Sequence, residues 1–179
     1  MKGLTQIAAV IFLAFFAACG TPSAFPVSEP TAATVDDRIV GKWKYVEDTN
    51  KLNFYEVYKA RGAESKYEYH VRFWNRGGTN PTYEANIHLS SLKDHQFINV
   101  PFWEKVGDKG DHNDWQNRGY FFLKILEQNN DFTRITTATV KSTELLKVQS
   151  SAEVRTFLLQ NINNPRVFSD TAHFYKVSE

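Results

Sequence analysis

Two segments in the middle of the chain alternate apolar and polar residues without a break. Residues 66–73 carry two tyrosines, a valine and a phenylalanine at every second position, and residues 83–90 repeat this kind of pattern. Between them, residues 75–80 include two adjacent glycines, which suit a turn. Strict alternation over eight residues is typical of strands in a sheet with one face in water. The two segments therefore predict a β-hairpin, and the rest of the fold must build a sheet around it.

Weaker patterns of the same kind predict that most of the remaining chain is strand. Further strands are expected at residues 39–45, 52–58, 96–102, 119–127, 132–140 and 171–177. Residues 120–123 are apolar on both faces, so this strand is expected to be covered on both sides. The chain also contains 14 Phe, 8 Tyr and 4 Trp, and this aromatic content favours strands over helices.

One helix is predicted late in the chain, because residues 150–153 have the form of a capping box. The apolar residues that follow lie at helical spacing: Val154, Phe157, Leu158 and Ile162. Residues 163–165 end the helix, and residues 142–149 before it are ambiguous. Because the predicted strands far outnumber this one helix, the predicted fold is all-β. Since closing a sheet removes its exposed edges, the sheet is predicted to form a single antiparallel up-and-down β-barrel over residues 37–179, with one late α-helix.

A short motif on the first predicted strand points to a particular kind of barrel. Gly41 and Trp43 form a Gly-x-Trp sequence, which resembles the signature of lipocalin-like barrels, the calycin group. The order of a late helix followed by a final strand is also similar to that group. The resemblance implies that Trp43 packs across the closed end of the barrel against a late basic residue, either Lys176 or Arg166. An unrelated antiparallel barrel or a sandwich is the alternative.

The first 18 residues have the composition of an export signal. Lys2 precedes an apolar stretch over residues 7–18, which is too short to cross a bilayer. Small residues then lead directly into Cys19, the only cysteine, and this resembles the lipobox of bacterial lipoprotein precursors. The resemblance implies that residues 1–18 are a signal peptide and that Cys19 becomes a lipidated N-terminus. Ordinary cleavage after Gly20 is the alternative.

The lipobox resemblance also implies a location in the bacterial cell envelope, with the protein attached to a membrane through its N-terminal lipid. Gly20 and Thr21, rather than an aspartate, follow the cysteine, which implies the outer membrane on its periplasmic side. Residues 19–36 contain prolines and small polar residues without apolar periodicity. This composition predicts a flexible tether between the lipid and the barrel.

The charge balance argues against one class of partner, and the single cysteine limits how the fold can be stabilised. Loss of the signal removes Lys2 from the 21 Lys and Arg residues, and the rest are equal in number to the 20 Asp and Glu residues. A neutral chain lacks the excess of cations by which proteins bind nucleic acids non-specifically, so no nucleic-acid partner is expected. One cysteine forms no internal disulfide, so the hydrophobic core alone must stabilise the fold.

Aromatic residues on the predicted strands are the candidates for a ligand site in the barrel interior. They are Trp43, Tyr45, Tyr67, Tyr69, Phe73 and Tyr83. Buried tyrosine hydroxyls need hydrogen-bond partners, so several tyrosines on one face indicate an interior that holds water or a ligand. The alternative is that these side chains simply fill the core. The function predicted is a lipid-anchored envelope protein that binds a small apolar molecule.

Two other kinds of function are alternatives to ligand binding. A structural or interaction protein would dock an envelope partner through an aromatic rim of Phe102, Trp103 and Trp115. An enzyme is the least favoured, because no recognised catalytic motif is present and no catalytic residue is predicted.

Metal and cofactor binding have little support in the sequence. His70, His88, His95, His112 and His173 lack ligand spacing and are predicted to be surface residues. The acidic segment 108–114 does not match a calcium loop. No metal and no cofactor are predicted.

Overall fold

The strands of the chain close into a barrel. A computed structural model describes residues 20–46, 54–61, 66–74, 81, 83–105 and 115–177. Within them each strand pairs antiparallel with the next along the chain, and the last strand pairs with the first. The strands are β1 (Gly41–Tyr45), β2 (Phe54–Lys59), β3 (Glu68–Trp74), β4 (Tyr83–Leu92), β5 (His95–Lys105), β6 (Trp115–Gln128), β7 (Arg134–Val140) and β8 (Phe168–Val177). The predicted all-β, antiparallel up-and-down barrel is confirmed.

The predicted late helix is also confirmed, as α1 (Ser151–Gln160) between β7 and β8. Ser150 Oγ accepts a hydrogen bond from the Glu153 amide at 3.2 Å, and the Glu153 carboxylate accepts one from the Gln149 amide at 3.0 Å. The ambiguous residues before the helix form a 3₁₀ turn, Thr143–Lys147. No helix in the described part of the chain is long and apolar enough to cross a membrane.

Alternation along the strands divides the apolar side chains between two cores. The inner core lies inside the barrel and includes Ile87 and Phe121. The outer core lies beneath α1 and includes Phe97, Phe122 and Val140. Phe121 and Phe122 are neighbours in sequence but belong to different cores. The prediction that this strand is covered on both faces is therefore confirmed.

Trp43 closes one end of the barrel. The side chain is 3% exposed, and its Nε1 donates a hydrogen bond to the Ile39 carbonyl at 2.8 Å. Ile39 belongs to a short 3₁₀ turn, Asp37–Ile39, that comes directly before β1. The Phe132 ring meets the indole edge-on, with the ring centroids 6.3 Å apart. The turn, the indole and the phenyl ring together seal this end, which is called the closed end below.

Lys176, one of the two candidates, is the basic residue that accompanies Trp43. Its Nζ lies 5.5 Å from the centroid of the Trp43 ring and donates a hydrogen bond to the Arg38 carbonyl at 2.9 Å. The lysine chain passes over Gly41, where a Cβ would lie 2.5 Å from Lys176 Cε. Gly41 also has a φ of 138°, which side chains rarely adopt. The glycine of the Gly-x-Trp sequence is therefore required by this crossing, whereas Arg166 is exposed.

The stretch before β1 differs from the flexible tether that its prolines predict. Residues 20–36, called the N-terminal strap below, follow the outer surface of the barrel. The Thr21 amide donates a hydrogen bond to the Val140 carbonyl at 3.2 Å, and the Thr34 amide donates one to the Leu89 carbonyl at 2.8 Å. Since an extended chain can place its amides against acceptors on a sheet, proline and small residues do not prevent this docking.

A buried polar network lies between the strap and the sheet. Asn99 Oδ1 accepts a hydrogen bond from the Val27 amide at 2.8 Å, and Asn99 Nδ2 donates one to Ser90 Oγ at 2.8 Å. The hydroxyls of Ser90 and Ser28 are 2.6 Å apart. Asn99 and Ser90 are fully buried, although both side chains point away from the barrel interior. The strap is what shields them from water.

Candidate functional site

The interior of the barrel contains a cavity of about 140 Å³. Trp43 of the closed end forms part of its wall, and Tyr55, Tyr83 and Phe174 add aromatic rings from three other strands. Valine, isoleucine and leucine side chains from β2 to β7 make up most of the remainder, together with Thr137. The wall is therefore almost entirely hydrocarbon, which is the surface that an apolar ligand requires.

Four of the six predicted aromatic residues lie in the cavity wall or directly against it. Trp43 and Tyr83 belong to the wall itself. Tyr45 and Phe73 pack against aromatic wall residues, with ring centroids 5.6 and 4.9 Å apart, respectively. The predicted set thus identifies part of the cavity wall and two further rings that pack against it.

The other two predicted residues lie apart from the wall. Tyr69 is buried, and its hydroxyl accepts a hydrogen bond from the Asp36 amide at 2.7 Å. This hydrogen bond ties the strap to the barrel. Tyr67 precedes β3, with its ring 4.7 Å from the ammonium group of Lys66.

Two wall residues, Tyr55 and Phe174, are not among the residues that the sequence predicts. Strands β2 and β8 carry aromatic residues on both faces, so alternation alone does not show which ring points inward. Tyr55 is the direct cross-strand partner of Trp43. Knowledge of that register would have placed Tyr55 beside the tryptophan in the interior.

The polar atoms of the wall carry no charge at neutral pH. The Tyr83 hydroxyl donates a hydrogen bond to the Pro101 carbonyl at 3.1 Å, and burial raises the pKa of Tyr83 to about 12. Thr137 is 2% exposed, and its Oγ1 has no hydrogen-bond partner among the described residues. A charged ligand would find no counter-ion in this wall.

The prediction that the histidines are surface residues is wrong for His88. This side chain points away from the interior, but the strap covers it and leaves it 1% exposed. His88 Nε2 donates a hydrogen bond to the Ser28 carbonyl at 2.7 Å. His70 lies on the neighbouring strand β3 and is partly exposed. Strand alternation shows which way a side chain points and does not show what lies over it.

Two further predictions concern metal sites and the aromatic rim. Among the residues that the structure describes, no three His, Cys, Asp or Glu side chains are placed to hold a metal ion. His112 and the acidic segment 108–114 lie outside the described residues. Phe102 packs against Phe121 of the inner core, with ring centroids 5.3 Å apart, so it belongs to the interior. The side chains of Trp103 and Trp115 lie outside the described part.

Comparisons of the chain with protein-family models, with curated proteins and with solved structures find no match.

Proposed function

We propose that this chain is a lipid-anchored protein of the bacterial cell envelope whose barrel binds a small apolar ligand. The observation that carries the ligand half is the cavity of about 140 Å³ with a hydrocarbon wall. Protein interiors are packed as densely as organic crystals, and voids larger than a water molecule are few. A void of this size and composition supports a binding site better than a core that the aromatic residues fill.

The size of the cavity sets the class of ligand. An apolar cavity of about 150 Å³ stays dry and binds benzene in another protein. A cavity of about 140 Å³ suits a single ring or a short hydrocarbon chain. The rings of Trp43, Tyr55 and Phe174 surround the space and favour an aromatic guest, since aromatic pairs gain energy from edge-to-face contacts.

Toluene is expected to raise the melting temperature of the wild-type protein and to have no effect on the Val57→Phe variant. Val57 lines the cavity and is 6% exposed, so a phenyl ring there occupies the space. At ten times its Kd, a ligand that binds only the folded state stabilises it by about 1.4 kcal/mol. The measurement is thermal unfolding with and without toluene.

Val35→Phe is the matched control, because Val35 is 48% exposed and lies in the strap. This variant should respond to toluene as the wild type does. Ligand binding in the cavity is ruled out if toluene leaves the wild type unchanged, or if it stabilises Val57→Phe equally.

The anchoring half of the proposal rests on the N-terminal sequence, since Cys19 lies outside the described residues. A Cys19→Ser variant expressed in a bacterial host is expected to lose labelled palmitate and to leave the membrane fraction. Each buried CH₂ of an acyl chain contributes about 0.8 kcal/mol, so loss of the chains removes the attachment. Intact-mass measurement of the wild type provides the check, and a mass equal to that of an unmodified chain contradicts the anchor.

The position of Gly20 implies how an anchored barrel would be oriented. A Cβ at Gly20 would lie 2.9 Å from Phe121 Cδ1 and 3.1 Å from Thr139 Cγ2. Strand β7 runs in the same direction as β1, so Thr139 near its end lies towards the end of the barrel opposite Trp43. A lipid on Cys19 therefore holds that end beside the bilayer, with the closed end away from it. An apolar ligand would then exchange directly with the membrane.

A further inference from the structure

A polar groove lies on the outer face of the barrel, across β3 to β6. It has a volume of about 270 Å³ and is separate from the apolar cavity. Glu68, Glu84, His70, His88 and Tyr120 are among its lining residues. The groove thus combines two carboxylates and two imidazoles with one aromatic ring. Which of these groups already have partners decides what the groove can bind.

One of the two carboxylates has no partner among the residues that the structure describes. Glu84 accepts a hydrogen bond from His70 Nε2 at 3.1 Å and lies 3.4 Å from Arg72 Nε. Glu68, in contrast, has neither an ion pair nor a side-chain hydrogen bond among the described residues, and burial raises its pKa. Partial removal of a carboxylate from water without compensation is costly. A cation at this position would supply the missing interaction.

The buried imidazole beside Glu68 also has a free acceptor. His88 Nε2 donates its hydrogen to the Ser28 carbonyl, so in the neutral ring Nδ1 carries a lone pair. No described residue forms a hydrogen bond with Nδ1. The Tyr120 ring meets the imidazole edge-on with centroids 6.0 Å apart, and burial lowers the pKa of His88. The imidazole is therefore held as a neutral acceptor in a fixed orientation.

We propose that this groove binds a primary ammonium group, which pairs with the Glu68 carboxylate and donates a hydrogen bond to His88 Nδ1. Glu68 and His88 are direct cross-strand partners, and such residues have Cβ atoms about 5 Å apart. An ammonium group has three donors and no acceptor, which matches one carboxylate beside one imidazole lone pair. Pro101 in the groove wall offers apolar surface to the carbon chain of the amine.

Calorimetric titration with n-butylammonium chloride at pH 7.5 tests the site directly. The wild type is expected to bind, and Glu68→Gln is expected to bind at least about tenfold more weakly, because the charge-assisted pair is lost. Glu127→Gln, on an exposed part of β6, is the matched control and should bind as the wild type does. Tetramethylammonium has the same charge and no N–H donor, so it should bind more weakly than the primary amine.

A second measurement distinguishes binding at this site from non-specific attraction of cations to the protein surface. The ¹⁵N resonance of His88 Nδ1 is expected to shift on titration with the amine, whereas that of exposed His173 stays unchanged. Binding should weaken as the pH falls and His88 becomes protonated, because Nδ1 then no longer accepts. The proposal is overturned if the wild type does not bind, if Glu68→Gln binds equally, or if the His88 resonance does not move.

Two sources of the same group can be distinguished with further titrations. Ethanolammonium chloride tests a free amine, and vesicles of phosphatidylethanolamine against vesicles of phosphatidylcholine test a lipid headgroup. Binding to the first vesicles alone identifies the headgroup, and binding only to the free ion identifies a soluble amine. Failure to bind any of these amines contradicts the site and leaves the apolar cavity unaffected.

Discussion

Replacing Trp43 with alanine is expected to lower the free energy of unfolding by about 3–5 kcal/mol, the usual cost of truncating a buried tryptophan or phenylalanine. The indole is 3% exposed and packs against Phe132, and Lys176 lies over its ring. Its removal would join a new void to the existing cavity and would leave the Ile39 carbonyl without its donor. The loss should be visible as a lower urea midpoint with an unchanged slope.

A Trp43→Phe variant separates the ring from the hydrogen bond. Phenylalanine keeps most of the apolar volume and loses the Nε1 donor, so a smaller loss of about 1–3 kcal/mol is expected, the cost of one unsatisfied buried group. A loss below about 1 kcal/mol for Trp43→Ala would mean that closure of this end contributes little to stability.

The architecture of the barrel can be predicted from local patterns because alternation is a local property. The hairpin of β3 and β4 follows from two runs of eight residues, and the helix follows from a serine and a glutamate at capping spacing. Each signal lies within a few consecutive residues. Closure of the sheet then follows from the need to cover strand edges.

The strap shows what such patterns cannot predict. Residues 20–36 contain no periodic signal, and the polar residues Ser90 and Asn99 look like the wet face of their strands. Their burial depends on a contact between segments more than 50 residues apart in the chain. A polar network of this kind satisfies the groups that the strap covers and leaves no apolar signature in the sequence.

The cavity was only partly predictable for a related reason. Trp43 and Tyr83 lie on strands with clear alternation, whereas Tyr55 and Phe174 lie on strands with aromatic residues on both faces. The pairing of β1 with its two neighbours brings both missed residues towards the tryptophan. Strand register, rather than composition, therefore determines which rings meet in the interior.

Replacing Asn99 with alanine is expected to lower the free energy of unfolding by about 2–4 kcal/mol, because the variant loses several buried hydrogen bonds worth about 1 kcal/mol each and leaves their partners unsatisfied. Asn99 accepts from the Val27 amide and donates to Ser90 Oγ and to the His88 carbonyl, at 2.8, 2.8 and 3.2 Å. No water reaches the fully buried side chain to replace these bonds.

The same variant should release the strap before the barrel unfolds. The strap is held to the outer face by these hydrogen bonds together with Val27, which belongs to the outer core, so weakening the bonds favours a local opening over a global one. Hydrogen exchange of the Val27 amide is therefore expected to accelerate strongly, while amides in β7 keep most of their protection. Ser91→Ala is the control, since it removes only the exposed contact with Thr34 at 2.8 Å and should cost less than about 0.5 kcal/mol. Unchanged exchange at Val27 in Asn99→Ala would show that other contacts hold the strap in place.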